Sequence, residues 1–181
     1  MRKYCASVGI LLSTLILTQF TPVAAAQSVD LSVGATFTFD IGPNLPQFTF
    51  KVIPEPQPKD SYGDAQSTVR EIQVFQGKSG QPLQRLTGCD LNDMAPPPDG
   101  SDWFHTEDIN FDGYQDLYLM TTSGGGNQGG CVWLFNPKTR RFDYSEEFSE
   151  LDGARLDPAT KTIFSYHNGG MGGVVHDAEK H

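Results

Sequence analysis

The run Asp108-Ile109-Asn110-Phe111-Asp112-Gly113-Tyr114-Gln115-Asp116 places oxygen-bearing side chains at alternate positions around a glycine. Hard oxygen donors at that spacing are the chemistry of calcium. The cation takes about six to eight oxygen ligands, and a short loop supplies them from positions one, three, five and nine and from a backbone carbonyl at seven, with glycine at six for the sharp turn. Here those ligands would be Asp108, Asn110, Asp112, the Tyr114 carbonyl and Asp116. An EF-hand would add a bidentate Glu at position twelve and flank the loop with helices. Position twelve is Leu119, inside the apolar, β-favouring segment LYLMTT, so the expectation is a calcium turn between two strands. Asp, Asn and Gly are also the ordinary residues of a metal-free turn; three carboxylates with no Lys or Arg inside the loop favour the cation.

Other chemistry-bearing residues are less organised. The glycine-rich tract from Gly124 to Gly130 lacks the Lys-Ser/Thr of a phosphate-binding loop and opens onto no helical pattern, so it reads as hairpin linkage. His105 and His167 have no partner at zinc-ligand spacing, and His105 reads as a turn residue beside the acidic loop. There is no Gly-x-Ser-x-Gly elbow, and the abundant carboxylates, Glu146, Glu147 and Glu150 among them, single out no acid–base pair. An enzyme is not the expectation. The segment SYHNGGMGG sets Ser165, Tyr166, His167 and Asn168 together before glycines. A loop of that make-up presents an aromatic ring and hydrogen-bonding groups to a partner's cleft, although an ordinary strand end would read the same way. Trp103, Tyr114, Trp133 and Phe135 read as core or strand-face aromatics.

The ends bound the setting. Arg2 and Lys3, the apolar stretch from Val8 to Leu17 and the small residues Ala24-Ala25-Ala26 make a secretory signal peptide over residues 1–26, cleaved before Gln27. The apolar run is short of the roughly 20 residues needed to span a bilayer, so no membrane anchor is expected and the exported domain is 27–181. Taking Arg2 and Lys3 from 13 basic residues leaves 11 against 22 acidic ones, a formal charge of −11. Nucleic acid is not an expected partner, and cationic partners are favoured by long-range steering. Two cysteines remain after cleavage, Cys89 and Cys131. In an oxidising compartment such a pair is expected to close a disulfide around the acidic loop, the alternative being two free buried thiols.

Short β elements must position these groups. Period-two apolar patterns mark strands at 31–41, 48–52, 69–75 and 83–86, then around the acidic loop at Trp103 and at 117–120, and again at 132–135, 140–144 and 163–166. NDMAPPPDG at 92–100 is a rigid loop, Leu156–Thr162 a turn, and Asn136-Pro137-Lys138-Thr139 a hairpin connection. Only SEEFSEL, capped by Ser145, looks helical. The expected fold is all-β: one compact domain of short antiparallel strands, propeller-blade-like or barrel-like, with one short helix and a glycine-rich tail.

DINFDGYQDLYL resembles calcium loops of the FG-GAP/VCBS type. Together with the glycine-rich tract, VWLFNPKTRRFDYSEEFSEL and TIFSYHNGG, it makes Phe75–Gly173 look like a family of exported bacterial proteins that includes immunity proteins of the antibacterial type IV secretion system. Members are similar in fold to I-type periplasmic lysozyme inhibitors. The resemblance implies a periplasmic inhibitor, stabilised by calcium, that blocks the active-site cleft of a lysozyme-like peptidoglycan hydrolase, with Ser165, Tyr166, His167 and Asn168 inserted. The competing class is a calcium-dependent binding or adhesion module for glycans or surface proteins. One departure stands out: such sequences continue past the glycine-rich segment with a further hairpin, whereas this chain reads VVHDAEKH, which is expected to leave a sheet edge unpaired.

Overall fold

The computed structural model describes residues 34–56, 67–77, 81–91, 103–124, 127–168 and 176–180. The leader at 1–26 and the proline-rich loop at 92–100 lie outside them. The described residues form three antiparallel sheets. The first takes β1 (Ala35–Phe39), β2 (Phe48–Pro56), β3 (Ser67–Gln76) and the two-residue β4 (Gln84–Arg85) in that order. The second takes β5 (Phe104–Glu107), β6 (Asp116–Gly124), β7 (Asn127–Asn136) and β8 (Arg141–Tyr144). After a short helix, α1 (Glu146–Ser149), the third takes β9 (Arg155–Asp157), β10 (Thr162–Asn168) and β11 (His176–Lys180) in the order β11-β10-β9.

Period-two alternation decides which faces meet. In β2, Phe48, Phe50 and Val52 point inward while Lys51 is exposed, its ammonium 4.7 Å from the centre of the Phe75 ring. β3 carries Val69, Ile72 and Val74 inward despite the odd spacing between the first two. The reason is a bulge: Ile53 pairs with Glu71 and Pro54 with Val69, so Arg70 is the extra residue and the inward set is restored beyond it. The second sheet meets these residues with Leu117, Leu119, Trp133, Phe135 and Phe142. The interface is dense in aromatic rings set edge-on, Phe48 at 5.5 Å from Phe135 and 5.8 Å from Phe142, Phe50 at 5.4 Å from Phe142. Such pairs contribute about 0.5–1.5 kcal/mol each beyond their burial.

The opposite face of the second sheet builds a smaller core, in which Val132 joins Ile109 and Ile163, with Tyr118, Leu134, Phe148 and Leu156 packed around them. Helix α1 reaches this core through β7: the Val132 N–H donates to Ser149 Oγ at 2.9 Å and the Val132 carbonyl accepts from the Ser145 N–H at 3.0 Å. Ser145 caps the helix as its sequence indicates, with Oγ accepting from the Phe148 N–H.

The all-β class is as expected, and among the described residues there is one short helix and no sheet closes into a barrel or curls into a propeller blade; the sheets are open and pack through the two cores. The Gln84 side-chain amide bridges two edges, donating to the Phe142 carbonyl at 2.6 Å and accepting from the Phe142 N–H at 2.9 Å, and the ladder goes no further. Two short strands were not legible: β9 lies where a turn was expected, and β11 forms within the glycine-rich tail. Because β11 pairs with β10 from Phe164 to Asn168, that edge of β10 is not left bare. The glycine-rich tract extends the β6–β7 hairpin, with Ser123 opposite Gln128 and Gly124 opposite Asn127.

Cys89 and Cys131 form a disulfide, Cα to Cα 5.9 Å, across 42 positions of sequence. It ties the end of the first sheet to β7, beside Trp133, whose indole N–H donates to the Thr87 carbonyl at 2.8 Å. Replacing both cysteines by Ala should lower unfolding stability by about 4 kcal/mol if loop entropy dominates; urea denaturation at fixed calcium measures it. A change below about 1 kcal/mol would show that the aromatic interface alone already restricts this loop.

Candidate functional site

The acidic loop runs from the end of β5 to the start of β6, and its shape follows from side chains accepting backbone N–H groups. Asp108 Oδ1 accepts from the Asp112 N–H at 2.9 Å and Oδ2 from the Gly113 N–H at 3.0 Å. Asn110 Oδ1 also accepts from the Asp112 N–H, at 3.0 Å, and Asp112 Oδ1 accepts from the Tyr114 N–H at 2.9 Å. The Asn110 and Asp112 contacts are Asx turns spanning two residues, the Asp108 contacts reach four and five residues ahead, and together they wind the chain around its own oxygens. Gly113 supplies the φ of 91° that position six needs. Phe111 is also left-handed, with φ 58°, a conformation costing a non-glycine residue about 1 kcal/mol; its side chain packs against the second core. The Tyr114 ring lies 5.5 Å from Phe135 and directly over Gly42, where a Cβ would meet the ring at 2.6 Å.

Asp116 differs from the rest of the set. It is fully buried, and its carboxylate accepts three backbone N–H groups: Oδ1 from Phe135 at 2.8 Å, Oδ2 from Ile109 at 3.0 Å and from Asn110 at 3.3 Å. The side chain thus ties the start of the loop to β7, 19 residues downstream. Burial pushes its carboxyl up to about 6, against the downward pull of the three N–H donors and with a further upward push from Asp112.

The donor set fits calcium by type, since every candidate ligand is a hard oxygen. As arranged, the loop is satisfied by its own amides, and among the described residues no three His, Cys, Asp or Glu side chains are gathered to hold a metal ion. Asp108, Asn110 and Asp112 are brought together at the surface, and Asp116 sits beneath them. A cation bound here would engage the lone pairs left over by the amides on Asp108 and Asp112, and it would offset the burial of charge at Asp116.

Sequence reasoning missed Lys161. From the turn between β9 and β10 its ammonium donates to the Phe111 carbonyl at 3.2 Å, a contact across 50 positions that no local pattern signals. His105 is not a turn residue; it lies in β5 opposite Tyr118, ring centres 5.0 Å apart.

The second predicted group, Ser165, Tyr166, His167 and Asn168, lies wholly in strand β10: the first two fall in the strand expected at 163–166, and the last two extend it where a loop was expected. β9 pairs only with Thr162, Ile163 and Phe164, so from Ser165 onward β10 pairs with β11 alone. The connection at 169–175 lies outside the described residues.

Among the described residues, no helix is long and apolar enough to cross a membrane. Comparison with known proteins brings no match: no family model, no curated protein and no solved structure.

Asp116→Asn keeps the shape but replaces one acceptor oxygen with an NH2 facing backbone donors, and should cost about 2–3 kcal/mol. The pH dependence has a definite sign. A carboxyl raised from about 3.9 when unfolded to about 6 when folded contributes stability below about pH 4 that is lost as pH rises through about 6. In chelator, the margin of the parent over Asp116→Asn should be larger near pH 4 than near pH 7.5. Urea midpoints at the two pH values check this; a margin that grows with pH would mean that the N–H donors outweigh burial.

Proposed function

We propose that the chain is an exported inhibitor of lysozyme-like peptidoglycan hydrolases, with the β10–β11 hairpin seated in the hydrolase cleft and calcium bound in the Asp108–Asp116 loop. The observation that carries this reading is the hairpin: beyond Phe164 it runs as a two-stranded ribbon free of β9, and the four polar and aromatic residues singled out in the sequence lie on it. A ribbon entering a cleft offers its two faces to the two walls. The hydroxyl, imidazole and amide groups of this segment would hydrogen-bond there, which suits a cleft whose catalytic groups are carboxylates flanking the sugar.

The rest of the structure supplies rigidity to this insertion. The disulfide, Asp116 and the ring-dense interface hold the second sheet, and the hairpin stands on that sheet through Ile163. A scaffold already ordered loses less entropy on docking. The acidity of the chain favours a cationic partner surface and speeds the encounter. Calcium at the loop would be structural, neutralising Asp108, Asp112 and Asp116 together.

The test is peptidoglycan clearing by a panel of lysozyme-like hydrolases with the purified protein in calcium or chelator. Inhibition near stoichiometry is expected, weakened in chelator. Tyr166→Ala should raise the inhibition constant about 30-fold, the loss of about 2 kcal/mol typical of a central aromatic anchor, with calcium affinity unchanged. Asp112→Ala should lower the melting temperature in calcium and leave inhibition partly intact in the cold. No inhibition of any hydrolase by folded, calcium-loaded protein would favour a binding module for glycans or surface proteins instead.

A further inference from the structure

The second core is incompletely filled. Between the outer face of the second sheet and the layer made by α1, β9 and β10 lies a cavity of about 250 Å³, walled by Ile109, Val132, Phe148, Leu151, Leu156 and Ile163. His105, Glu107 and Tyr118 supply its polar side. A second hollow of about 380 Å³ adjoins it, sharing His105, Glu107 and Leu156 and reaching Asp108 at the base of the acidic loop.

The two hollows form for a structural reason. β5 presents His105 and Glu107 on the face away from the main core, in register with the Tyr118 side of β6, and β9 is too short to cover them. Tyr118 leans over Gly130, where a Cβ would meet the phenol at 2.4 Å, so the glycine gives the ring its seat and the ring walls off the cavity. The charge around the space has one sign. Glu107 is exposed at the rim, Asp152 lies close enough to hold the Tyr118 hydroxyl up beyond the effect of its burial, and Asp108 lines the adjoining hollow. Among the described residues lining the two hollows there is no Lys or Arg. Lys161, nearby through Phe111, donates to that residue's carbonyl.

We propose that this cavity binds a small organic cation, an amine carried on a short aliphatic or aromatic body, with the body against Val132, Leu156 and Ile163 and the ammonium at Glu107 beside His105 and Tyr118. Apolar walls with a few convergent polar groups are the usual make-up of a small-molecule site, and pockets for drug-sized ligands run from roughly 300 to 1,000 Å³. At about 250 Å³ the inner cavity suits a body of benzyl size. An anion would meet Glu107, and a neutral ligand would gain nothing from the rim.

The site does not depend on the inhibitor reading, and it is tested without any hydrolase. The intact protein, labelled with ¹⁵N and in the valine and isoleucine methyl groups, is titrated at neutral pH with benzylamine, benzyl alcohol and benzoate. Benzylamine should shift the Ile109, Val132 and Ile163 signals saturably, in the millimolar range expected of so small a ligand. Benzoate should bind at least tenfold more weakly, and benzyl alcohol between the two. Glu107→Gln, at an exposed position, should weaken benzylamine at least fivefold and leave benzyl alcohol unchanged. Ala154→Phe, at the exposed lip of the cavity, should weaken all three. Absence of saturable shifts with benzylamine, or saturable shifts confined to other parts of the surface, would overturn the site. Equal binding of amine, alcohol and acid, or an unaltered amine preference in Glu107→Gln, would overturn its assignment to cations.

Discussion

The Asp116 carboxylate is the constraint on which the arrangement of this protein turns. It is a charge-bearing group with no accessible surface, held by three backbone N–H donors from two segments, Ile109 and Asn110 in the acidic loop and Phe135 in β7. A buried carboxylate is tolerated only where its acceptors are satisfied, so the loop and the strand cannot separate without exposing all three donors and the acid at once. The same tie fixes Ile109, which stands between the loop and the second core. Loop geometry, the register at the β6 end of the hairpin and the floor of the inner cavity thus follow from one side chain.

The second sheet carries two cores of unequal quality. Toward the first sheet, Phe135 and Phe142 interlock with Phe48 and Phe50, and these rings, like that of Trp133 in the same core, are fully buried. Toward the third sheet, Val132 and Ile163 are the buried strand residues, and Tyr118, Leu134 and Leu156 pack around them only partly buried. Close packing is the rule in protein interiors, and a retained hollow beside a dense core marks the face on which function is more easily built. The disulfide falls on the dense side, with Cys131 among the buried residues of the main core. Stability is concentrated on one face of the sheet and open space on the other.

Much of this was readable in the residues. The period-two runs gave most strands because each has one buried and one exposed face, and Ser145 announced the helix through its cap. The acidic loop was legible as a turn because Asp, Asn and Gly carry their own local hydrogen bonds. What could not be read was set by long-range pairing. β9 has only three residues and exists because Arg155, Leu156 and Asp157 find β10 beside them. The strand expected to end at Tyr166 runs on through His167 and Asn168, because β11 supplies a partner for the polar residues that precede the glycines. The bulge at Arg70 disguised the alternation of β3, and stacking of open sheets in place of closure depends on edges such as Gln84 that end after two residues. Asp116 read as the last ligand of a loop; its ties to Phe135 and to two loop amides emerge only in three dimensions.

The two proposed sites share structure closely enough that they should not be independent. Glu107 lines the cavity and precedes Asp108, the first oxygen donor of the loop; Ile109 belongs to both the loop and the cavity wall; Ile163 belongs to the cavity wall and to the strand that continues into the hairpin. A cation held by the loop would draw Asp108 toward itself and leave Glu107 as the chief negative charge facing an amine. An amine in the cavity would in turn lower the negative potential that attracts calcium. Both ligands carry the same sign, so direct electrostatics sets them in opposition, whereas ordering of Ile109 by either one would favour the other. Any coupling that results is reciprocal by linkage, so that whatever calcium does to amine affinity the amine does to calcium affinity by the same factor. The separation is short and solvent-screened at the rim, where charges interact with an effective dielectric far above that of the interior. Ile109 is already buried and held by Asp116, so ordering has little left to contribute, and the screened opposition of the two positive charges sets the sign of the coupling.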